Sequence, residues 1–225
     1  MKLELIHQDA DLWVFNKPSG MASHPNPALR SIPDVITEAI ATLGAPEGLA
    51  PINRLDRATS GVILCSPSGD VRGALGKAFA EGKVQKTYQA LVYGHTHKKG
   101  TIKKPLFDKR RKKSIDAETR YKRVETFGSA SLLEVTPKTG RKHQIRRHLQ
   151  SIGHSIVGDP RYKPRRRYKL PAFPERLWLH AARLELEDGR SFQATLPEPL
   201  SAQLLALREL RRAASEDPST PTEQP

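Results

Sequence analysis

The stretch that most restricts the fold runs from Lys86 to Gly94, where side-chain character switches with a period of two. Tyr88, Ala90 and Val92 fall on one face and Thr87, Gln89, Leu91 and Tyr93 on the other, the pattern of a strand and not of a helix. Other runs read the same way. Leu3 to His7 and Leu12 to Phe15 are short strands broken by the polar turn Gln8-Asp9-Ala10-Asp11. Gly61 to Cys65 is a buried strand ended by Ser66-Pro67-Ser68-Gly69, and Ser131 to Thr136 is another. Residues 101 to 126 read as a strand, a polar tip at Lys109-Arg110-Arg111-Lys112-Lys113 and a returning strand. Leu177 to Leu186 and Ser191 to Thr195, divided by Glu187-Asp188-Gly189-Arg190, form a hairpin.

Helical spacing is confined to few segments. Val35, Ile36, Ala39, Ile40 and Leu43 share a stripe, with Pro33 and Asp34 suited to a first turn and Gly44 to a stop. Asp70 to Glu81 places Val71, Ala74, Leu75, Ala78 and Phe79 together and closes at Gly82. Thr139-Gly140 opens a third helix, with Ile145, Leu149 and Ile152 on one side and Gly153 as its end. Strands outnumber helices without the alternation that a doubly wound sheet requires, so the class is α+β. No linker-like composition divides residues 1 to 210, which predicts one domain there. The tail 211–225, rich in Ser, Pro, Thr and Glu, reads as a frayed helix end followed by disorder.

Charge narrows the partners. The 225 residues carry 38 Lys and Arg against 24 Asp and Glu, a formal +14 that points to a polyanion. The excess is concentrated in Lys103, Lys104 and Lys109 to Lys113, in the acid-free stretch Thr136 to Gly158, and in Arg161, Lys163, Arg165, Arg166, Arg167 and Lys169. Like charges this dense repel one another unless phosphates neutralise them, which favours nucleic acid over solvated loops. Aromatics make up 6% of the chain, too few for a stacking platform along a single strand, so shape-driven RNA binding fits better. Cys65 has no partner in the chain, which suits a reducing cytoplasm. The amino terminus lacks a signal-peptide core, and no run approaches the ~18 apolar residues of a membrane helix. A cytoplasmic monomer without membrane contact or obligate protein partner is expected. A metal is not expected, because His143 and His148 lie five residues apart on different faces of a helix with no cysteine pair to join them.

The string Asn53-Arg54-Leu55-Asp56-Arg57-Ala58-Thr59-Ser60-Gly61 puts one carboxylate between two arginines just before a buried strand. Alone it reads more readily as a loop ion pair than as a catalytic site. It resembles the H-R-L-D-x-x-T-S-G signature of the RluA family of pseudouridine synthases. Asn16-Lys17-Pro18-Ser19-Gly20-Met21 is similar to that family's N-K-P-x-G segment. Lys86 to Gly94 resembles its K-x-Y-x-A-x-V-x-G strand, and Thr139-Gly140-Arg141-Lys142-His143-Gln144-Ile145-Arg146 its T-G-R-x-H-Q-I-R. Gly153-His154-Ser155-Ile156-Val157-Gly158-Asp159 resembles G-H-P-I-x-G-D, and Leu179-His180-Ala181 fits a strand near the end. These segments occur in the family's order across about residues 12 to 200. The chain departs from the pattern at Asn53, where His is usual, and at Ser155, where Pro is common.

The resemblance implies a single catalytic domain with a mixed, largely antiparallel sheet flanked by helices and loops. It also implies isomerisation of a uridine in ribosomal or transfer RNA without a cofactor. Asp56 is then the catalytic carboxylate, Tyr88 the aromatic that packs on uracil, Arg146 the cation paired with Asp56, and Arg54 the side chain that enters the space left by the flipped base. The chemistry agrees: breaking the C1′–N1 bond and joining C5 to C1′ needs an ionised carboxylate in a closed pocket, to attack C1′ or to abstract a ribose proton. Arg57, Arg141, His143, Gln144, Lys109, Arg110, Arg111, Arg165, Arg166 and Arg167 are expected to contact RNA. The first strand begins close to Met1, so no separate amino-terminal RNA-binding module is expected. A non-catalytic RNA-binding protein on the same fold is the alternative, but binding alone needs no concerted Asp56, Tyr88 and Arg146. A glycosidase-like nuclease would need a second acid, and none lies in a matching segment.

Overall fold

The computed structural model describes residues 2–27, 31–164 and 169–216. Ten strands build the main sheet. In chain order they are β1 (Glu4–Gln8), β2 (Trp13–Lys17), β3 (Ala50–Pro51), β4 (Ser60–Ser66), β5 (Gln85–Tyr93) and β6 (Lys99–Lys103), then β9 (Glu118–Phe127), β10 (Ala130–Pro137), β11 (Leu179–Glu185) and β12 (Ser191–Gln193). β7 (Leu106–Asp108) and β8 (Lys113–Ile115) form a separate two-stranded ribbon. The sheet runs β1-β2-β4-β11-β5-β10-β9-β6, with β12 on β11 and β3 on β4. The β4–β11 pair is parallel and the other pairs of named strands are antiparallel. This is the mixed, largely antiparallel α+β sheet expected from the sequence.

β4 is buried at every position, which explains its unbroken apolar run. Its side chains divide between the two faces. Ile63 and Cys65 join Phe15 and Met21 under helix α1 (Val35–Leu43), while Val62 and Leu64 join Val14, Leu184 and Phe192 near helix α2 (Gly69–Ala80). The α1 start follows its sequence: Asp34 Oδ1 accepts the N–H groups of Ile36 and Thr37, and Gly44 ends the helix in a left-handed conformation. The α2 stripe is shallower than its spacing suggests. Leu75, Ala78 and Phe79 are only partly buried and Ala74 is exposed.

Two boundaries differ from the sequence reading. Helix α3 spans Gln144–Ser151, so Thr139 to His143 form its approach and not its first turn. The cause is His143, whose left-handed backbone (φ 54, ψ 29) cannot continue a right-handed helix. Helix α4 (Glu198–Glu216) carries on through residues 211–216, where the frayed start of the tail was expected. Its Leu200, Leu204 and Leu207 pack on the core built by β5 and β10, which holds the helix against the sheet. Among the described residues, no helix is long and apolar enough to cross a membrane.

The β4–β11 contact is tight. Gly61 pairs with Ala181, and a Cβ at Gly61 would lie 2.2 Å from the Ala181 carbonyl oxygen. The glycine is therefore required by backbone approach as well as by its φ of 117°. Beside it, His180 is fully buried, its Nδ1 3.0 Å from Ser60 Oγ and its Nε2 3.2 Å from the Ala194 carbonyl. Arg176 donates to the same Ser60 hydroxyl at 2.7 Å. Burial lowers the His180 pKa to about 4, with Arg176 adding to it, so the ring is neutral.

Candidate active site

Asp56 lies in the loop between β3 and β4, and a second loop braces that segment from below. Lys17 is completely buried and its ammonium donates to the carbonyls of Pro18 (2.9 Å), Met21 (2.8 Å) and Arg57 (3.2 Å). Ser19 Oγ donates to the Ala58 carbonyl, and Gly20 N–H to that of Arg57. Ser23 Oγ both donates to the Leu55 carbonyl and accepts the Leu55 N–H. The Asn16 to Ser23 motif thus acts as a cradle for the backbone on both sides of Asp56. Burial pulls the Lys17 pKa down to about 7, aided by Arg176 and opposed by Asp56. Asn53 contributes from the other end, its Oδ1 accepting the Leu64 N–H at 2.7 Å.

Arg146, on the first turn of α3, is the central cation. It grips Asp159 with two prongs, Nε to Oδ2 at 2.7 Å and Nη2 to Oδ1 at 2.8 Å. Its remaining Nη1 faces Asp56 Oδ2 at 3.4 Å. The Arg146 side chain is 6% exposed and that of Asp159 0%, whereas Asp56 keeps 28%, so the pair forms a buried base under an accessible carboxylate. Burial opposes the Arg146 charge, but Asp159 and Asp56 outweigh it and raise the pKa. Burial likewise opposes the Asp159 charge, and its bonds from Arg146 and from the Tyr162 and Arg161 N–H groups outweigh that and lower the pKa. Among the described residues, neither Arg54 nor Arg57 forms an ion pair with Asp56. Its near neighbours are the Arg146 guanidinium and the His143 ring, the latter at 3.7 Å.

Asp56, Tyr88, His143 and Arg146 line one cavity of about 520 Å³, within the range of roughly 300–1,000 Å³ typical of small-ligand sites. Tyr88 enters from β5, where its backbone pairs with Val135 of β10 and Ala181 of β11. Burial, reinforced by the Asp56 charge, raises its pKa, so the phenol stays protonated. Arg54 and Arg141 reach the rim, with Lys86 and Lys138 also in the lining. The cavity therefore combines one carboxylate, the Tyr88 and Phe79 rings, and several cationic side chains.

The residues expected to contact RNA separate into groups. Arg54, Arg57 and Arg141 are exposed, as are Lys109, Arg110 and Arg111 on the β7–β8 turn, where Asp108 Oδ1 accepts the Arg110 and Arg111 N–H groups. Arg165, Arg166 and Arg167 lie outside the described residues. Gln144 differs from expectation. It is 4% exposed; its Nε2 donates to Glu118 O and Thr119 Oγ1, while its Oε1 accepts from Thr139 Oγ1 and Arg141 N–H. All its hydrogen-bonding positions are used internally, so it holds the α3 approach and has nothing left to offer RNA. His143 sits between Asp56 and Tyr162.

Lys17 and Asp159 stood in recognised segments without an assigned role, and Tyr162 stood in none. For Asp159 and Tyr162 the contacts become visible only once α3 and the 159–162 turn come together, and for Lys17 only once the Pro18, Met21 and Arg57 carbonyls converge on it. Among the described residues, no three His, Cys, Asp or Glu side chains are grouped to hold a metal ion.

Comparison with known proteins bears on this geometry. The RNA pseudouridylate synthase family profile matches residues 11–151. An RNA pseudouridine synthase of Chloroflexus aurantiacus is 37% identical over 89% of this chain and 67% of its own length. The chain belongs to the RNA pseudouridylate synthase family. Its reaction is the isomerisation of uridine in RNA to pseudouridine, and the resemblance to the RluA group holds. Ribosomal large subunit pseudouridine synthase C of Vibrio cholerae is 35% identical over 93% of this chain and 70% of its own. tRNA pseudouridine synthase C of Haemophilus ducreyi is 33% identical over 86% and 88%. In fold, the human RNA pseudouridylate synthase domain containing 4 matches with a TM-score of 0.77 at 24% identity, covering 91% of this chain and 93% of the other.

Proposed function

We propose that this chain isomerises a uridine in structured ribosomal or transfer RNA, as a cytoplasmic monomer that needs no obligate protein partner and no cofactor. Support for the RNA class comes from the relatives of both kinds and from the formal charge of +14. The catalytic domain is one unit that includes α4. The observation that carries the catalytic reading is Arg146 joined at once to buried Asp159 and to the accessible Asp56, within the cavity that Tyr88 lines.

In this reading the target nucleotide leaves its stack, Arg54 fills the gap, and the uracil packs on Tyr88. Asp56 then acts on the ribose, at C1′ as nucleophile or at a ribose proton as base, while Arg146 faces its Oδ2. Glycosidic cleavage frees N1, the uracil turns within the cavity, C5 bonds to C1′, and the C5 proton is lost to water while N1 takes one up. No atom is gained or lost overall, and no redox change occurs.

The test is a pseudouridine map of total RNA from cells with and without the protein, joined to tritium release from 5-tritiated uridine in RNA. Deleting the protein should erase at least one site. The parent should restore it, and Asp56→Asn should not, with RNA affinity kept within about threefold because shape is preserved. Identical maps in both cells, or full turnover by Asp56→Asn, would remove the assignment.

A further inference from the structure

His143 carries a Cβ yet holds a left-handed backbone at the entry to α3. Such conformations persist where surrounding contacts over-determine them. Here they fix the imidazole. Nδ1 lies 3.0 Å from the Tyr162 hydroxyl, and the two rings meet edge to face at 5.7 Å and 83°. Nε2 lies 3.7 Å from Asp56 Oδ1, on the opposite side of the carboxylate from Arg146, which faces Oδ2.

Tyr162 is itself held by the ion pair beneath the site. Its N–H donates to Asp159 Oδ1 at 2.9 Å, and the Arg146 guanidinium lies 5.0 Å from its ring centroid, with that of Arg161 at 5.6 Å. The direction of the phenol is thereby tied to the same Arg146–Asp159 pair that supports Asp56. Burial lowers the His143 pKa; Arg146, Lys142 and Arg161 add to this against the pull of Asp56. A neutral imidazole has one N–H. Turning a bare ring nitrogen toward a carboxylate would set lone pair against anion, so the proton belongs on Nε2 and Nδ1 must accept.

We propose that His143 and Tyr162 form a positioning pair, in which the Tyr162 O–H donates to Nδ1 and thereby sets the Nε2–H tautomer that faces Asp56 Oδ1. The proposal rests on the catalytic reading of Asp56. With His143 on one oxygen and Arg146 on the other, rotation of the carboxylate is restricted, and one orientation is kept toward the ribose. His143 is then a residue of the catalytic centre's frame and not an RNA contact.

Two measurements test this. In protein labelled with 15N-histidine, the His143 resonance is identified by its loss in His143→Gln. The parent should show the Nε2–H tautomer, and Tyr162→Phe should lose that fixed preference. In single-turnover assays, Tyr162→Phe and His143→Ala should slow the reaction about 10- to 100-fold with RNA affinity within about threefold, the scale of a reacting group held less precisely. His143→Gln, which keeps an N–H near the Nε2 position, should recover most of the rate. A charged or Nδ1–H ring in the parent overturns the pair, as do unchanged rates in the variants of an active parent or losses confined to affinity. A parent without turnover defeats the catalytic reading instead, and the tautomer still decides the pair.

Discussion

Arg146 is bound more closely to Asp159 than to Asp56: two bonds of 2.7 and 2.8 Å against one approach of 3.4 Å. Asp159 therefore orients the guanidinium, and Asp56 receives its third nitrogen. Asp159→Asn leaves a buried cation short of its main partner, a loss expected to cost about 3–5 kcal/mol of folding stability. Turnover should fall at least about tenfold, because Arg146 loses its fixed direction. Urea unfolding and tritium release report the two effects, and a variant as stable and as active as the parent would show that Asp159 does not orient the site.

Asn53 replaces an imidazole with an amide at the edge of the reactive loop. Among the described residues its side chain makes one hydrogen bond, Oδ1 accepting the Leu64 N–H inside β4. A neutral histidine can accept the same bond through a ring nitrogen. Asn53→His is expected to change the single-turnover rate less than about tenfold, well short of the roughly 10² to 10⁴ that general acid or base help supplies. Asn53→Ala leaves the Leu64 N–H without its acceptor, at a cost of about 1–3 kcal/mol, and should slow turnover through a looser loop. A gain above tenfold in Asn53→His would mean that a titrating group is missing here.

RNA binding should weaken steeply with salt, each phosphate contact adding roughly 0.7 to 0.9 to the slope of log K against log salt. Replacing Lys109, Arg110, Arg111 and Lys112 by Ser should flatten that slope, and the same exchange at Arg165, Arg166 and Arg167 should flatten it independently. Filter binding across a salt series measures both. Slopes equal to the parent's would make these runs ordinary solvated surface.

His180 gives stability a pH dependence of known sign. Its folded pKa of about 4 lies below the ordinary value of 6.5, so the unfolded chain takes up the proton first as the solution is acidified. The contribution is complete above pH 6.5 and is lost as pH falls to 4, amounting to about 3 kcal/mol. Denaturant unfolding across this window should show a steeper decline in the parent than in His180→Asn, which is less stable at pH 7 but has no imidazole to protonate. Parallel declines would place the acid sensitivity elsewhere.

Alternation made β5 readable, and burial on both faces made β4 readable as a continuous apolar run, so the sheet's central material was accessible without coordinates. The α3 start was not. The helical stripe of Ile145 and Leu149 extends smoothly back toward Thr139, and only the contacts of His143 with Tyr162 and Asp56 show why the helix waits until Gln144. Gln144 misled for a related reason. A polar residue in a basic, acid-free stretch suggests RNA, yet its amide is consumed by Glu118, Thr119, Thr139 and Arg141, partners brought from β9 and the α3 approach. Asp56 and Arg146 stood out because the chemistry proposed for them restricts their types. Asp159, which grips another side chain, carries no comparable local mark.

The insertion of β11 between β4 and β5 also has a bearing on how the protein is made. The strand that follows the Asp56 loop and the strand that carries Tyr88 leave the ribosome in succession, yet they never pair with each other. They are joined by a segment translated roughly ninety residues later, through His180 and Ala181 on one side and Leu179 to Glu185 on the other. Closing so distant a contact is slow compared with local hairpins. A nascent chain stopped before residue 179 can hold most of the chemically active side chains and still lack the wedge that sets two of them across one cavity.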